Sequence, residues 1–363
     1  MKTKTRAIAF YLPQYYPTPE NDEWWEKGFT EWTNVTKAKP LFPGHHQPNL
    51  PSELGFYDLR ILEVREQQAD LAREHGIEGF CYWHYWFGNG KRILDRVFKE
   101  VLASGKPDFP FCLAWANETW KGIWHDLGDT PLAEQTYPGI EDYTAHFYEV
   151  LPAFKDPRYI KVHGKPLFMI YRVVDFEDVE IFMNLWKKLA KENGLEGIYF
   201  VGQVFDHRRI QEALNKGVDA VNEIRLNEAQ RRNPNPKQTL KEKLVYKIKK
   251  IPSDLQKYDY KEVIKYLAGE ETKRREVIPT IFPNWDHSPR SKGKTLMVHG
   301  STPELFRQHI KEVINIVEKK PEEENLVFIK SWNEWAEGNY MEPDRRYGRK
   351  YLEVFKEENI KPE

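Results

Sequence analysis

A chain of 363 residues is long enough to bury a large core, and 55 Lys and Arg against 56 Asp and Glu leave a net charge of −1, which excludes the basic excess of a protein that tracks phosphate backbones. Aromatic residues make up 14% of the chain while mean hydropathy is −0.73, so many rings belong at polar, wetted surfaces, a composition that suits a sugar-binding cleft. No apolar run approaches the roughly 20 residues that span a bilayer.

The chain starts with basic residues and a short apolar stretch, but Pro13 and Gln14 stop that stretch short of a secretion-signal core and no small-residue cleavage site follows. It reads as a first strand, and the expected location is the cytoplasm. Two cysteines, Cys81 and Cys112, sit inside apolar runs as buried thiols. The sequons at Asn34 and Asn117 carry little weight without an export signal.

Short β-branched and aromatic runs then alternate with segments of helical period, the pattern of βα units on a parallel sheet. The expected strands are Arg6 to Tyr11, Ile77 to Tyr82, Phe109 to Trp115, Pro166 to Tyr171, Gly197 to Gly202, Val218 to Asn222, Val277 to Phe282 and Leu326 to Ser331. Helices are expected over Leu59 to His75, Ile93 to Ser104, Tyr143 to Phe154, Phe176 to Asn193, Arg208 to Lys216, Tyr260 to Arg275 and Pro303 to Glu318, with Leu352 to Glu357 closing the ring. Gly76, Gly194 and Gly217 fit helix C-caps feeding directly into strands. The opposite strand ends run into long loops rich in Trp, Tyr, Pro and His. This asymmetry predicts one α/β domain over residues 1–363, a (β/α)8 TIM barrel whose long βα loops form an aromatic cleft at the C-terminal ends of the strands.

Two insertions interrupt the repeat. Residues 12–58 contain Trp24, Trp25, Trp32, His45 and His46, too aromatic for a loose linker, and are expected to fold as a lid or cleft wall. Residues 225–257 carry ten Lys or Arg against three acidic residues, and Leu240, Leu244, Val245, Ile248 and Ile251 recur at helical spacing. The stretch 237–257 fits a peripheral contact with an anionic membrane or polymer, against the plainer reading of a solvated helix packed on the barrel.

The last strand ends abruptly in Ser331-Trp332-Asn333-Glu334-Trp335-Ala336-Glu337-Gly338. Two carboxylates three residues apart among indoles are costly unless they work, and desolvation against Trp raises a carboxyl pKa, so that one acid stays protonated while its neighbour is ionised. Glu334 and Glu337 are therefore the catalytic candidates, the alternative being a cap or an ion pair with Arg345 and Arg346. Candidates to bind substrate collect at the other strand ends: Tyr11; Tyr82, His84, Tyr85 and Trp86; Trp115, Asn117, Glu118 and Trp120; Tyr171 and Arg172; Gln203; Trp285; and, beside the acids, Asn333 and Trp335. Rings pack on sugar C–H patches while Asn, Gln, His and Arg bond hydroxyls. Glu118 follows Asn117 as Glu334 follows Asn333, so a cross-barrel pair of Glu118 with Glu334 is the mechanistic rival.

The opening Ala9-Phe10-Tyr11-Leu12-Pro13-Gln14-Tyr15-Tyr16-Pro17, the run Glu23-Trp24-Trp25 to Phe29-Thr30-Glu31-Trp32, the string His46-Gln47-Pro48 to Gly55-Phe56-Tyr57 and the closing Trp332 to Gly338 motif resemble the WbsX-type family, which is related to glycoside hydrolase family 99. The resemblance covers nearly the whole chain. It implies a (β/α)8 barrel, retaining cleavage of α-linked mannose-type glycans without a metal or other cofactor, and a bacterial polysaccharide setting. It also implies that Glu334 deprotonates the substrate 2-hydroxyl, which attacks its own anomeric carbon to give an anhydro-sugar, while Glu337 protonates the leaving oxygen and then activates water.

Four rivals compete with a glycoside hydrolase acting on an oligo- or polysaccharide: a glycosyltransferase, a binding module, a zinc enzyme and a serine hydrolase. A nucleotide-sugar glycosyltransferase would ordinarily show an Asp-x-Asp triplet or a phosphate cradle; no such triplet occurs, and Gly88 to Lys91 is too short for the latter. A non-catalytic glycan-binding barrel would not need the two acids. The histidines lack zinc-helix spacing and no Gly-x-Ser-x-Gly elbow is present. The sequence leaves the oligomeric state open.

Overall fold

The computed structural model describes residues 2–121, 131–232, 244, 247–248, 255–291 and 296–361. Eight parallel strands close on themselves: β1 Arg6–Tyr11, β2 Gly79–Trp86, β3 Phe111–Trp115, β4 Lys165–Ile170, β5 Tyr199–Val204, β6 Ala220–Glu223, β7 Val277–Ile281 and β8 Leu326–Ile329. β1 pairs with both β2 and β8, which completes the ring and leaves none of the eight as an open edge. Helices follow the strands in turn: α1 Leu62–Glu74, α2 Arg96–Ser104, α3 Ile140–Lys155, α4 Val179–Glu192, α5 Ile210–Asn215, α6 Tyr260–Val263, α7 Pro303–Val317 and α8 Lys350–Asn359. The fold is the (β/α)8 barrel that the alternation predicts.

The strands read as near-continuous apolar runs because both of their faces are covered. Inside the ring, Phe10 stacks on Trp83 and Phe328 with centroids 4.8 and 4.9 Å apart. Outside it, Trp186 of α4 is fully buried against Phe168 and Phe200; removing roughly 200 Å² of such a ring from water contributes at most about 5 kcal/mol. α7 begins where Thr302 accepts a hydrogen bond from the Leu305 amide with Pro303 in the first turn, a start written into the sequence. At the base, Asn359 of α8 latches both ends of the chain, its Oδ1 accepting from the Thr5 amide at 3.0 Å and hydroxyl at 2.7 Å.

Two elements differ from the sequence reading. β2 continues to Trp86, so Trp83 to Trp86 belong to the strand and alternate across it. The helix expected over Tyr260 to Arg275 stops at Val263 and continues as separate 3₁₀ turns; there Arg225 Nε donates to the Tyr266 carbonyl at 3.0 Å, an acceptor that a continuing helix would use itself.

The insertion after β1 is folded. It carries short helices over Pro19–Trp24 and Glu31–Lys37 and is pinned to the barrel top: the Tyr15 hydroxyl donates to the Asn333 carbonyl, and His45 Nε2 lies 2.8 Å from Asp286 Oδ2. The basic helix expected over 237–257 lies outside the described residues, apart from 244, 247–248 and 255–257. No helix among the described residues is long and apolar enough to cross a membrane.

Candidate active site

Beyond β8 the chain makes a tight hairpin. Asn333–Glu334 pairs antiparallel with Asn339–Tyr340, and Trp335–Glu337 forms a 3₁₀ turn between them. Three residues per turn bring positions i and i+3 onto one side, so Glu334 and Glu337 share a face. Ser331 Oγ accepts the amides of Asn333 and Glu334 at 3.1 and 2.9 Å and sharpens the bend. Trp335 is held behind it, stacked on Tyr340 at 3.8 Å and donating through Nε1 to Glu342 at 2.6 Å.

Glu334 lines a cleft of about 580 Å³ together with Trp25, Phe29, Tyr85 and Trp120, and with the charged groups of Glu31, Glu118 and Arg290. Its carboxyl is buried, and burial first, then the neighbouring Glu337 charge, raise its pKa, while Lys330 and Arg290 oppose the rise. Oε2 accepts no hydrogen bond among the described residues and stands 3.5 Å from the Lys330 ammonium. Glu337 is buried too, with Oε1 2.5 Å from Arg290 Nη1 and 3.6 Å from His287 Nε2. Burial, reinforced by Arg290, lowers the His287 pKa to about 3, so its imidazole is neutral. Arg290 also reaches Glu31 at 3.2 Å, placing one guanidinium between two buried carboxylates. The site thus gathers three acids, one with its pKa raised by burial and two that share one guanidinium.

The remaining expected residues divide by strand face. Tyr85 and Trp120 line the cleft, packed edge-on with centroids 5.0 Å apart. Glu118 lines it as well, paired with Arg172, whose guanidinium lies over the rings of Tyr171 and Phe205 at 5.0 and 5.2 Å. Gln203 is buried, with Nε2 donating to Asn222 at 2.7 Å. Trp285 is half-buried under the Lys330 ammonium, 5.2 Å from its ring centre.

Tyr11, Tyr82, His84, Trp86 and Trp115 point the other way, into the layer between strands and helices. The Tyr11 hydroxyl donates to Gln68 of α1 at 2.6 Å, Tyr82 packs on Phe98 of α2, and His84 Nε2 meets His146 Nε2 of α3 at 2.8 Å. Trp86 stacks on that same His146, and Trp115 packs on Phe182 of α4. The structure does not bring these five to the cleft.

Both Asn-Glu pairs are built alike. Asn333 Oδ1 accepts the Leu12 amide at 2.8 Å and Nδ2 donates to the Leu12 carbonyl at 3.0 Å; Asn117 Oδ1 accepts the Arg172 amide at 2.8 Å and Nδ2 donates to Tyr137 at 3.0 Å. Each Asn clips its strand end to a neighbour, and the Glu after it faces the cleft. Sequence reasoning missed Glu31 and Arg290. Glu31 stands before Trp32 as Glu334 stands before Trp335, a signal that was available; Arg290 lies in a loop with no comparable pattern.

A family model described as glycosyltransferase WbsX matches residues 7–355. The protein WxcX of Xanthomonas campestris pv. campestris strain B100, described only as uncharacterized, is 34% identical over 349 residues, 96% of this chain; WxcX of strain ATCC 33913 matches equally. The chain spans about half the length of these curated relatives, 48% in each case. Among solved structures, a glycoside hydrolase-like protein aligns with TM-score 0.61 at 16% identity, over 99% of this chain and 94% of its own. A GH99 endo-alpha-mannosidase from Bacteroides thetaiotaomicron aligns with TM-score 0.58 at 15% identity, over 97% of this chain and 95% of its own.

Proposed function

The chain belongs to the WbsX family, and from that premise we propose that it cleaves α-linked, mannose-type glycosidic bonds in an oligo- or polysaccharide with retention of configuration, using Glu334 and Glu337. The observation that carries this reading is the pair itself: two buried carboxyls on one face of a 3₁₀ turn, one lining an aromatic cleft and the other hydrogen-bonded to Arg290 of that cleft. The GH99 endo-alpha-mannosidase with the same barrel supplies the bond type.

In the proposed reaction Glu334 takes the proton of the substrate 2-hydroxyl as that oxygen attacks its own anomeric carbon, and Glu337 gives its proton to the departing glycosidic oxygen. Glu337 then takes a proton from water, which opens the 1,2-anhydro-sugar at the anomeric carbon while Glu334 returns a proton to the 2-oxygen. Two displacements at one carbon give retention, and no enzyme atom bonds to the sugar. At rest burial favours the proton on Glu334, the carboxyl that the first step needs as an anion, while Glu337 is hydrogen-bonded to Arg290. Binding of a sugar between them has to move that proton before the first step.

Glu334→Gln and Glu337→Gln are each expected to lower turnover 10²-fold or more while glycan still binds. Glycosyl fluorides separate the roles, because fluoride leaves without protonation: Glu337→Gln is expected to recover activity on them and Glu334→Gln is not. Recovery by Glu334→Gln alone reverses the two assignments, and undiminished turnover in either variant on the natural linkage rejects the pair. A second reading, transfer of the sugar to another saccharide, is favoured by the description of the family model. Reaction in ¹⁸O-labelled water, with and without nucleotide sugars, separates them, since only hydrolysis places the label on the new reducing end.

A further inference from the structure

Lys330 stands two residues past Phe328, and its amide still donates to the Ile281 carbonyl of β7 at 2.8 Å. The alternation of β8 therefore carries through it and turns its side chain to the inner side, where Phe328 stacks on Phe10. That side chain is 12% exposed, and a cation taken so far from water is costly unless a countercharge meets it. Its ammonium lies over the Trp285 ring, 5.2 Å from the centre, and 3.5 Å from Glu334 Oε2, the buried oxygen that accepts no hydrogen bond among the described residues. Among those residues Glu334 is the one carboxylate within ion-pair distance of Lys330.

The other groups around Glu334 are committed elsewhere or uncharged. Glu337, on the same turn, and Glu31, from the insertion after β1, divide the Arg290 guanidinium between them. Glu118, in the same cleft, is paired with Arg172. Burial keeps His287, in the loop after β7, neutral, and it raises the pKa of Tyr85 in β2 and of Tyr171 after β4, so that both phenols keep their protons. The cation left to Glu334 is Lys330.

We infer that Lys330 is a positioning residue for the cleavage: its ammonium, seated over the Trp285 ring beside Glu334, supplies the countercharge that lets this carboxyl stand as the anion which takes up the 2-hydroxyl proton. Lys330 acts through Glu334 and not on the sugar. The inference rests on the reading of Glu334 as the base and adds how so buried a carboxyl becomes ionised.

A pH titration of the Glu334 carboxyl tests it, read by infrared difference spectroscopy as the acid C=O band that Glu334→Gln lacks. In Lys330→Met and in Lys330→Gln, which keep the stem and remove the charge, the midpoint is expected to move up by about one pH unit or more, and Lys330→Arg is expected to bring it back. The acidic limb of kcat/KM on α-mannosyl fluoride, which reports the base of the free enzyme, is expected to move by the same amount. Midpoint and limb left in place, with only the melting temperature or the rate at every pH reduced, would make Lys330 a structural residue and overturn the inference. A midpoint that moves without the limb, or a shift that Lys330→Arg does not reverse, overturns it as well. If the wild-type limb survives in Glu334→Gln, the reading of Glu334 as the base falls instead.

Discussion

Glu342 accepts hydrogen bonds from Gln68 at 2.6 Å, Tyr57 at 2.8 Å and Trp335 at 2.6 Å, and so ties α1, the insertion after β1 and the hairpin of Glu334 and Glu337 to one carboxyl. Burial raises its pKa to about 7 in spite of these donors. The folded chain thus holds this proton more tightly than an unfolded carboxyl does, so stability falls as pH rises from the ordinary value of 4.5 to about 7, by about 3 kcal/mol. Glu342→Gln keeps the packing: its amide donates to Gln68 once the Gln68 amide turns over and the Tyr11 hydroxyl rotates to accept, while its oxygen still serves Tyr57 and Trp335. Urea unfolding at pH 5 and pH 8 is expected to show the wild-type protein losing stability relative to this variant across that interval. Parallel pH dependence in the two proteins would show that Glu342 stays ionised in the fold.

At the scale of the element, the hairpin that carries the two acids is fixed from outside. Gly338 closes it at φ +57, and a Cβ there would fall 2.8 Å from Asp286 Cβ, so the loop after β7 presses directly on the turn after β8. Gly338→Ala combines the cost of left-handed backbone, about 1–2 kcal/mol, with a backbone clash that shifts either the Glu337 turn or the Asp286–Arg290 loop. Turnover is expected to fall more than 10-fold with a smaller change in KM; full activity with a lower melting temperature alone would mean that the turn tolerates the shift. The motif around Glu334 and Glu337 was legible because charges following an apolar strand stand out. The inward or outward sense of Tyr11, Tyr82, His84, Trp86 and Trp115 was not, because a barrel strand is covered on both faces and its apolar run shows no alternation to read. The eight strands were recognisable for that same reason, since continuous runs between Gly-capped helices leave few other folds. Arg290 escaped because a cation in an irregular loop acquires meaning only from the Glu31 and Glu337 carboxylates it meets in space.

For the whole molecule, the question is whether the insertion after β1 is a movable lid or part of the barrel. Its contacts answer in structural terms: Tyr15 bonds the Asn333 carbonyl and accepts the Trp335 amide at 3.2 Å, Gln47 and His45 both reach Asp286, and Tyr57 reaches Glu342. Glu31 of the same segment holds Arg290. A lid that opened would exchange these buried polar contacts for water together, each at a net cost of about 0.5–1.5 kcal/mol, so that opening costs several kcal/mol, a large part of what unfolds a domain. Hydrogen exchange followed by mass spectrometry is therefore expected to show amides of residues 29–37 protected on the same timescale as those of β1 and β8. Exchange of that segment orders of magnitude faster than the strands, in the absence of ligand, would make it a gate, and substrate entry rather than bond cleavage would then be the step that its contacts control.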